Sequence, residues 1–282
     1  MHCLTCTVTE DQHEIASTIG YENNMGGCVE EQSGANIKFI FYFQNEDDAK
    51  AAAKSFTEIL SIASTVEFVE NQDWNAKWKE SMEPAQIADG IWVSPSWLEP
   101  PSKGRSAWIK IEPKMAFGTG HHETTRLAAQ EIINRKNEIS GKSVLDIGTG
   151  SGILCFTANL AGAALSLGVE IDSCCLENLA ENLRDNPPPH KSKVNFMIGS
   201  LSSIKEDAAF DAVIMNMLYS ESVPLLRQVK SLLKKNAILI WSGILAEEQN
   251  DVVEQAQRFG FTLANSRIEN EWWCGSFISH QP

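Results

Sequence analysis

Positive charge is what this chain has least of. Its 282 residues carry 23 Lys and Arg against 37 Asp and Glu, a formal net charge of −14. A surface of that sign repels phosphate backbones, so direct nucleic-acid binding is not expected, whereas a basic protein would be drawn toward it. Long apolar runs are missing too. Nowhere do about 18 apolar residues follow one another, so no membrane-spanning helix is expected. The start, M-H-C-L-T-C-T-V-T-E-D, has neither the basic residues nor the apolar stretch of a secretion signal. Cysteine occurs seven times, an odd number without regular spacing, which argues against a disulfide framework and for a reducing, cytoplasmic location. Cys3 and Cys6 form a C-x-x-C, but no second pair or H-x-x-x-H completes a zinc site, and no metal is expected.

What is present divides into three stretches. Residues 1–70 read as strand Leu4–Thr9, helix Asp11–Ile19, strands Gly26–Glu31 and Ile37–Phe43, helix Asp47–Ile62 and strand Thr65–Val69. That β-α-β-β-α-β order predicts a small α+β, ferredoxin-like domain, a fold that does not by itself imply a function. Residues 71–112 hold Trp74, Trp78, Trp92, Trp97 and Trp108 among Pro84, Pro95, Pro100 and Pro101. Trp74 and Trp78 lie four apart, on one face of any helix formed there. The prolines break the rest into turns and short extended pieces, which predicts a Trp-rich linker docked on its neighbour.

Residues 113–282 alternate strand and helix. A helix over Thr124–Arg135 precedes strand Ser143–Ile147. Strands Leu165–Ile171, Val194–Ile198, Ala212–Asn216 and Ile238–Trp241 follow, with helices Ser173–Arg184, Val223–Lys235 and Ala246–Phe259 between them. Lys234 and Lys235 would suit the C-terminal end of the second of these helices. Phe261–Arg267 and Trp272–Ser279 read as a closing hairpin. The alternation predicts a Rossmann-like α/β domain with a seven-stranded, mostly parallel sheet.

Ser143–Gly152, S-V-L-D-I-G-T-G-S-G, is the chemical centre of that domain. A strand ends in Asp146, turns through Gly148, Gly150 and Gly152, and enters a helix whose bare backbone N–H groups face the crevice. A dinucleotide fingerprint requires G-x-G-x-x-G, but Ile153 stands where its third glycine would be. Twenty residues on, Glu170 ends the second strand, where a carboxylate accepts from both hydroxyls of an unphosphorylated ribose. With the closing hairpin, Asp146 and Glu170 make the pattern similar to class I methyltransferases, which bind S-adenosylmethionine. Asn216-Met217-Leu218-Tyr219 resembles, without its prolines, the N-P-P-Y motif of enzymes that methylate nitrogen. There the Asn oxygen and a nearby carbonyl accept hydrogen bonds from the target amine. Met115–Leu127, M-A-F-G-T-G-H-H-E-T-T-R-L, is a glycine-flanked loop entering a helix, which places N–H groups and the Thr124 or Thr125 hydroxyl at the cofactor's carboxylate end. His121 and His122 are adjacent, so their side chains diverge, and no ligand cluster accompanies them.

D-W-N-A-K-W-K (73–79), I-W-V-S-P-S-W (91–97), the 115–127 segment, L-D-I-G-T-G-S-G-I-L (145–154), the Asn216 turn, W-S-G-I-L (241–245) and Glu271-Trp272 together resemble the ribosomal protein L11 methyltransferases, the PrmA family. The resemblance runs from about residue 72 to the end. It implies methyl transfer from S-adenosylmethionine to lysine ε-amines, and the N-terminal α-amine, of a basic large-subunit ribosomal protein free of the ribosome. It also implies an N-terminal domain that recognises this substrate. Phe117, Gly118, Thr119, Thr125, Asp146, Gly148, Gly150, Glu170 and Asn216 are then the cofactor contacts, and Asn216 and Tyr219 position the acceptor. Glu170 stands where aspartate is more usual and keeps the carboxylate. A methyltransferase of the same fold acting on another protein lysine or a small amine is the alternative. A non-catalytic relative is disfavoured by the intact glycines, Glu170 and Asn216.

Overall fold

The structure, a computed structural model, describes residues 1–34, 36–69, 82–99, 107–114, 116–189, 191–205 and 209–280. The chain forms two units, Met1–Met82 and Glu83–Pro282. Trp74 and Trp78 lie outside the described residues.

The first unit contains β1 (His2–Thr9), α1 (His13–Glu22), β2 (Gly27–Ser33), β3 (Asn36–Phe43), α2 (Glu46–Leu60) and β4 (Thr65–Phe68). Its sheet runs β2-β3-β1-β4, every neighbour antiparallel. Strict alternation along β3 sends Ile37, Phe39, Phe41 and Phe43 to one face, where Ala16, Ile19, Ala49, Ala52 and Phe56 of the helices cover them. Gly20 admits that packing, because a Cβ there would stand 2.7 Å from the Phe41 ring.

The second unit opens with β5 (Ala85–Ala88), β6 (Ile91–Ser94) and β7 (Ala107–Lys110), a three-stranded sheet. The prolines of this stretch predict only short extended pieces, and three of those pieces pair. After α3 (Glu123–Asn134) come β8 (Ser143–Ile147), α4 (Ile153–Leu160), β9 (Leu165–Glu170), α5 (Leu176–Asp185) and β10 (Lys193–Ile198). The chain continues through β11 (Phe210–Asn216), α6 (Leu226–Leu232), β12 (Leu233–Leu245), α7 (Gln249–Arg258), β13 (Phe261–Glu269) and β14 (Trp272–Ser279). The large sheet has the order β10-β9-β8-β11-β12-β14-β13. It is parallel as far as β12, and β14 runs antiparallel to both β12 and β13. This is the seven-stranded Rossmann-like sheet that the alternation predicts.

Both faces of the sheet are buried, as a parallel sheet requires. Val144, Ala212, Ile214, Ile238 and Ile240 face a core shared with α3 and α4. Their neighbours Leu145, Ile147, Val213, Met215, Leu239 and Trp241 face the other core, with α6 and α7. Several expected boundaries move, and one of them turns helix into strand. The helix expected over Val223–Lys235 ends at Leu232, and Lys234 and Lys235 belong to β12. There Lys234 pairs with Asp211 of β11 at 2.8 Å, so its charge answers a carboxylate and not a helix dipole.

A buried ion pair fastens α3 to the hairpin. Glu131, only 3% exposed at its side chain, accepts from Arg135 Nε at 3.0 Å and from Asn265 Nδ2 at 2.9 Å. Arg135 in turn donates to Ser276 Oγ at 2.7 Å. Removing one partner leaves a buried charge uncompensated, which costs about 3–5 kcal/mol. Glu131→Ala is therefore expected to lose stability of that order in chemical denaturation, and a loss below about 1 kcal/mol, the range of exposed pairs, would contradict this account.

Candidate active site

In the large sheet β8 has β9 on one side and β11 on the other, so the strand order reverses there and a crevice opens beyond the strands' carboxyl ends. The glycine turn caps β8. Gly148, Gly150 and Gly152 have φ of +67°, +54° and +85°, a region that side chains resist. The Gly148 and Thr149 N–H groups donate to Val169 O at 2.9 and 3.1 Å, tying the turn to β9. Asp146 lies buried beneath the turn. Its Oδ2 accepts from Thr149 Oγ1 at 2.6 Å and lies 3.7 Å from the Cys155 thiol, while Oδ1 has no partner. Burial pushes its pKa up to about 7, the Thr149 and Cys155 hydrogen bonds oppose the shift, and the Glu170 charge adds to it.

Glu170 ends β9 and faces the same turn. Oε2 accepts from Gly150 N at 2.9 Å, and Oε1 accepts from Ile171 N at 2.9 Å and Asp172 N at 3.1 Å. A carboxylate offers about four acceptor sites, so capacity for a ligand hydroxyl remains on Oε2. The loop before α3 packs against the turn from the other side. Phe117 O accepts from Ser151 N at 2.9 Å, and Gly118 O accepts from Ser151 Oγ at 2.6 Å. A Cβ on Gly150 would meet Phe117 O at 2.5 Å. The Phe117 side chain itself is exposed, and Thr119 is half-buried beside it.

At the start of α3 the His122 ring acts as the cap, with Nδ1 accepting from Thr124 N at 3.3 Å. The ring also meets Phe117 and Trp272 edge-on, at centroid distances of 5.5 and 5.1 Å. His121 turns away, its Nε2 3.0 Å from Glu83 O. Thr125 is fully buried and its hydroxyl has no partner.

The third contribution is the Asn216 turn. Asn216 Oδ1 is buried without a partner. The next residue joins the neighbouring strands, because Met217 N donates to Ser242 O at 3.1 Å and the Met217 side chain comes within 3.4 Å of where a Gly148 Cβ would be. The W-S-G of β12 explains itself here. Trp241 Nε1 donates to Ser222 Oγ at 2.9 Å, and Ser242 Oγ donates to Thr124 O at 2.9 Å. Gly243, with φ of +84°, lets the Met217 backbone approach to 2.6 Å from its missing Cβ. Tyr219 packs, half-buried, against the apolar cluster that contains Trp241. Spacing alone does not single out Ser151, Ser242 or Gly243 for these contacts. The W-S-G-I-L match is the one signal that could have found the last two.

Thr125 Oγ1, Asp146 Oδ1 and Asn216 Oδ1 are thus buried oxygens without hydrogen-bond partners, from three separate stretches of the chain. Buried polar groups are nearly always paired, so such orphans fit a polar ligand such as S-adenosylmethionine. The described residues contain no cluster of three or more His, Cys, Asp or Glu that could hold a metal ion, and no helix among them is long and apolar enough to cross a membrane.

The sheet order, the closing antiparallel hairpin and the glycine turn facing a carboxylate define a class I, S-adenosylmethionine-dependent methyltransferase. The sequence profile of the ribosomal protein L11 methyltransferase (PrmA) family matches residues 2–279. The chain belongs to that family of S-adenosylmethionine-dependent protein methyltransferases. It is 33% identical over 222 residues to the ribosomal protein L11 methyltransferase of Fusobacterium nucleatum, which covers 78% of this chain and 70% of the relative. It is 30% identical over 300 residues to that of Pelobacter propionicus, covering 95% of this chain and 94% of the relative. The crystal structure of a ribosomal protein L11 methylase from Lactobacillus delbrueckii subsp. bulgaricus shares the fold, with a TM-score of 0.63 and 24% identity over 71% of this chain and all of the other. The family match includes residues 1–70, which the sequence motifs do not cover.

Two outcomes follow from this geometry. Gly243→Ala forces a Cβ against the Met217 backbone in a strained conformation, which should displace the Asn216 turn. Methyl transfer should fall at least about tenfold, because small misplacements near the reacting atoms cost large factors, and assay at saturating cofactor reads it. Unchanged turnover would show that the turn tolerates the shift. Asp146 titrates near 3.8 when unfolded but near 7 when folded, so between those values the folded state holds the extra proton. Stability of the ligand-free protein should therefore fall as pH rises from about 4 to about 7 and stay lower above that. Denaturation of Asp146→Asn across this range should lack that contribution, and identical pH slopes for the two proteins would refute it.

Proposed function

We propose that this chain transfers methyl groups from S-adenosylmethionine to lysine ε-amines, and to the N-terminal α-amine, of ribosomal protein L11 free of the ribosome. The observation that carries this reading is the glycine turn of β8, which faces Glu170 where the strand order reverses and has the loop before α3 and Met217 of the Asn216 turn packed against it. In this reading Glu170, expected to accept from both ribose hydroxyls, has room on Oε2 for one, and Gly148, Gly150 and the Phe117–Thr119 loop flank the cofactor. Asp146 supports the turn from below, and Thr125 serves the amino-acid end. The cofactor supplies an already activated methyl group.

The protein's remaining task is to present a neutral amine in line with that group. A lysine with pKa near 10.4 costs roughly 4–5 kcal/mol to deprotonate at pH 7. Desolvation in the crevice lowers that cost. Asn216 Oδ1 and the Met217 carbonyl accept the remaining N–H bonds and fix the lone pair; the Leu218 carbonyl, the other candidate, already accepts from Glu221 N, Ser222 N and Ser222 Oγ. Tyr219, packed against the core, holds the turn that carries them. No side chain has to act as a base. The net charge of −14 attracts a basic substrate. Residues 1–70 are assigned its recognition, 71–112 the linker and 113–282 the chemistry, in a cytoplasmic protein that needs no metal and binds no nucleic acid directly.

The test is incubation of the full chain with labelled S-adenosylmethionine and purified ribosomal protein L11, read by intact mass and peptide mapping. Stepwise single-methyl additions at lysine and at the N-terminus are expected. Labelling confined to other proteins or to small amines would move the acceptor elsewhere. His122→Ala should lose about 1 kcal/mol of helix capping while retaining turnover. If turnover vanished with cofactor affinity intact, catalysis by positioning alone would be wrong.

A further inference from the structure

Strand β7 pairs with β6 over residues 107–110, and side chains of a helix bond to its other edge. On α5 and just beyond, Asn178, Asn182 and Asn186 recur every fourth residue on one face. Asn186 Oδ1 accepts from Lys110 N at 2.8 Å and its Nδ2 donates to Lys110 O at 2.6 Å. Asn182 Oδ1 accepts from Glu112 N at 3.0 Å, and Asn178 Nδ2 donates to Glu112 O at 2.9 Å. Three side-chain amides thus replace a neighbouring strand. Asn182 does one thing more, since its Nδ2 donates to Ser151 O at 2.9 Å, within the glycine turn. Ser151 in turn grips Phe117 O with its N–H and Gly118 O with its hydroxyl.

We infer that Asn182 is a positioning residue that holds the loop before α3 in place against the glycine turn, and so fixes the backbone that lines the cofactor cleft. The inference rests on the cofactor reading proposed above. Asn182 is fully buried and holds Glu112, where the chain leaves β7 for the Phe117–Gly118 loop, together with the Ser151 carbonyl of the opposite wall. An asparagine fits because one bond needs an acceptor and the other a donor. Aspartate keeps the first and turns the second into a repulsion between two oxygens. Asn186 belongs to the same ladder but touches only Lys110 and the Asn182 carbonyl, so it stabilises the strand without reaching the turn.

The test measures S-adenosylmethionine affinity by calorimetry, steady-state kinetics and thermal stability for the full chain and for Asn182→Asp, Ser151→Ala and Asn186→Asp. Asn182→Asp should weaken cofactor affinity about tenfold or more, in line with the loss of one buried hydrogen bond and its replacement by a repulsion. Its kcat at saturating cofactor and its KM for the protein substrate should stay near wild type, the signature of lost uniform binding. Ser151→Ala, which cuts the Gly118 bond and keeps a small side chain, should move affinity in the same direction and decides the matter if Asn182→Asp does not fold. Asn186→Asp should lower thermal stability with cofactor affinity unchanged. Wild-type affinity in Asn182→Asp or in Ser151→Ala, or parallel losses of affinity, kcat and stability in the Asn182 and Asn186 variants alike, would overturn the assignment. Failure of the wild-type chain to bind S-adenosylmethionine would instead overturn the cofactor reading on which it stands.

Discussion

Backbone has to touch backbone at the carboxyl ends of β8, β11 and β12, and the rest of the site depends on that approach. A Cβ on Gly150 would lie 2.5 Å from Phe117 O, and one on Gly243 would lie 2.6 Å from Met217 O. Both glycines have positive φ, so neither the space nor the conformation admits a side chain. Met217 spans the gap between them, its backbone against Gly243 and its side chain toward Gly148. The loop before α3, the glycine turn and the Asn216 turn are therefore positioned by one another.

The sheet supplies the rigidity that such mutual contact needs. Apolar residues alternate along β8, β11 and β12 into two cores, so the strands that aim the turns are held from both faces. Against that background the unpaired oxygens of Thr125, Asp146 and Asn216 are costly, each leaving a desolvated acceptor without a donor. The raised pKa of Asp146 expresses the same cost in protons.

Much of this was legible in the sequence because it is carried by local pattern. Short apolar runs alternating with helical stretches gave the large sheet, and the S-V-L-D-I-G-T-G-S-G turn identified the crevice by its own spacing. Glu170 followed from its place at the end of the next strand. What local pattern does not carry is pairing between distant short pieces. Ala85–Ala88, Ile91–Ser94 and Ala107–Lys110 have four residues each, too few for a period, and their partners are one another. The end of α6 at Leu232 was obscured because lysines suit a helix terminus, yet Lys234 is held by Asp211 on the neighbouring strand. Ser151 and Asn182 are small polar residues whose importance lies in bonds spanning 33 and 31 positions, which no spacing rule anticipates.

The same structure bears on how an amine can be methylated without a dedicated base. A general base needs a free lone pair beside the acceptor. The most tempting candidate, His122, has its Nδ1 lone pair committed to the amide of Thr124, and its ring is held edge-on between Phe117 and Trp272. Its neighbour His121 is turned toward Glu83. Glu170 is committed three times over to backbone amides. Asp146 lies sealed under the turn with a pKa near 7, too buried to exchange protons with a passing amine. At the Asn216 turn the unpartnered acceptor is the Asn216 amide oxygen, which orients N–H bonds but does not take protons at neutral pH. In the proposed reaction the proton of an incoming lysine would go to solvent as the amine is desolvated. The rate then depends on how well the three turns hold what is left in line.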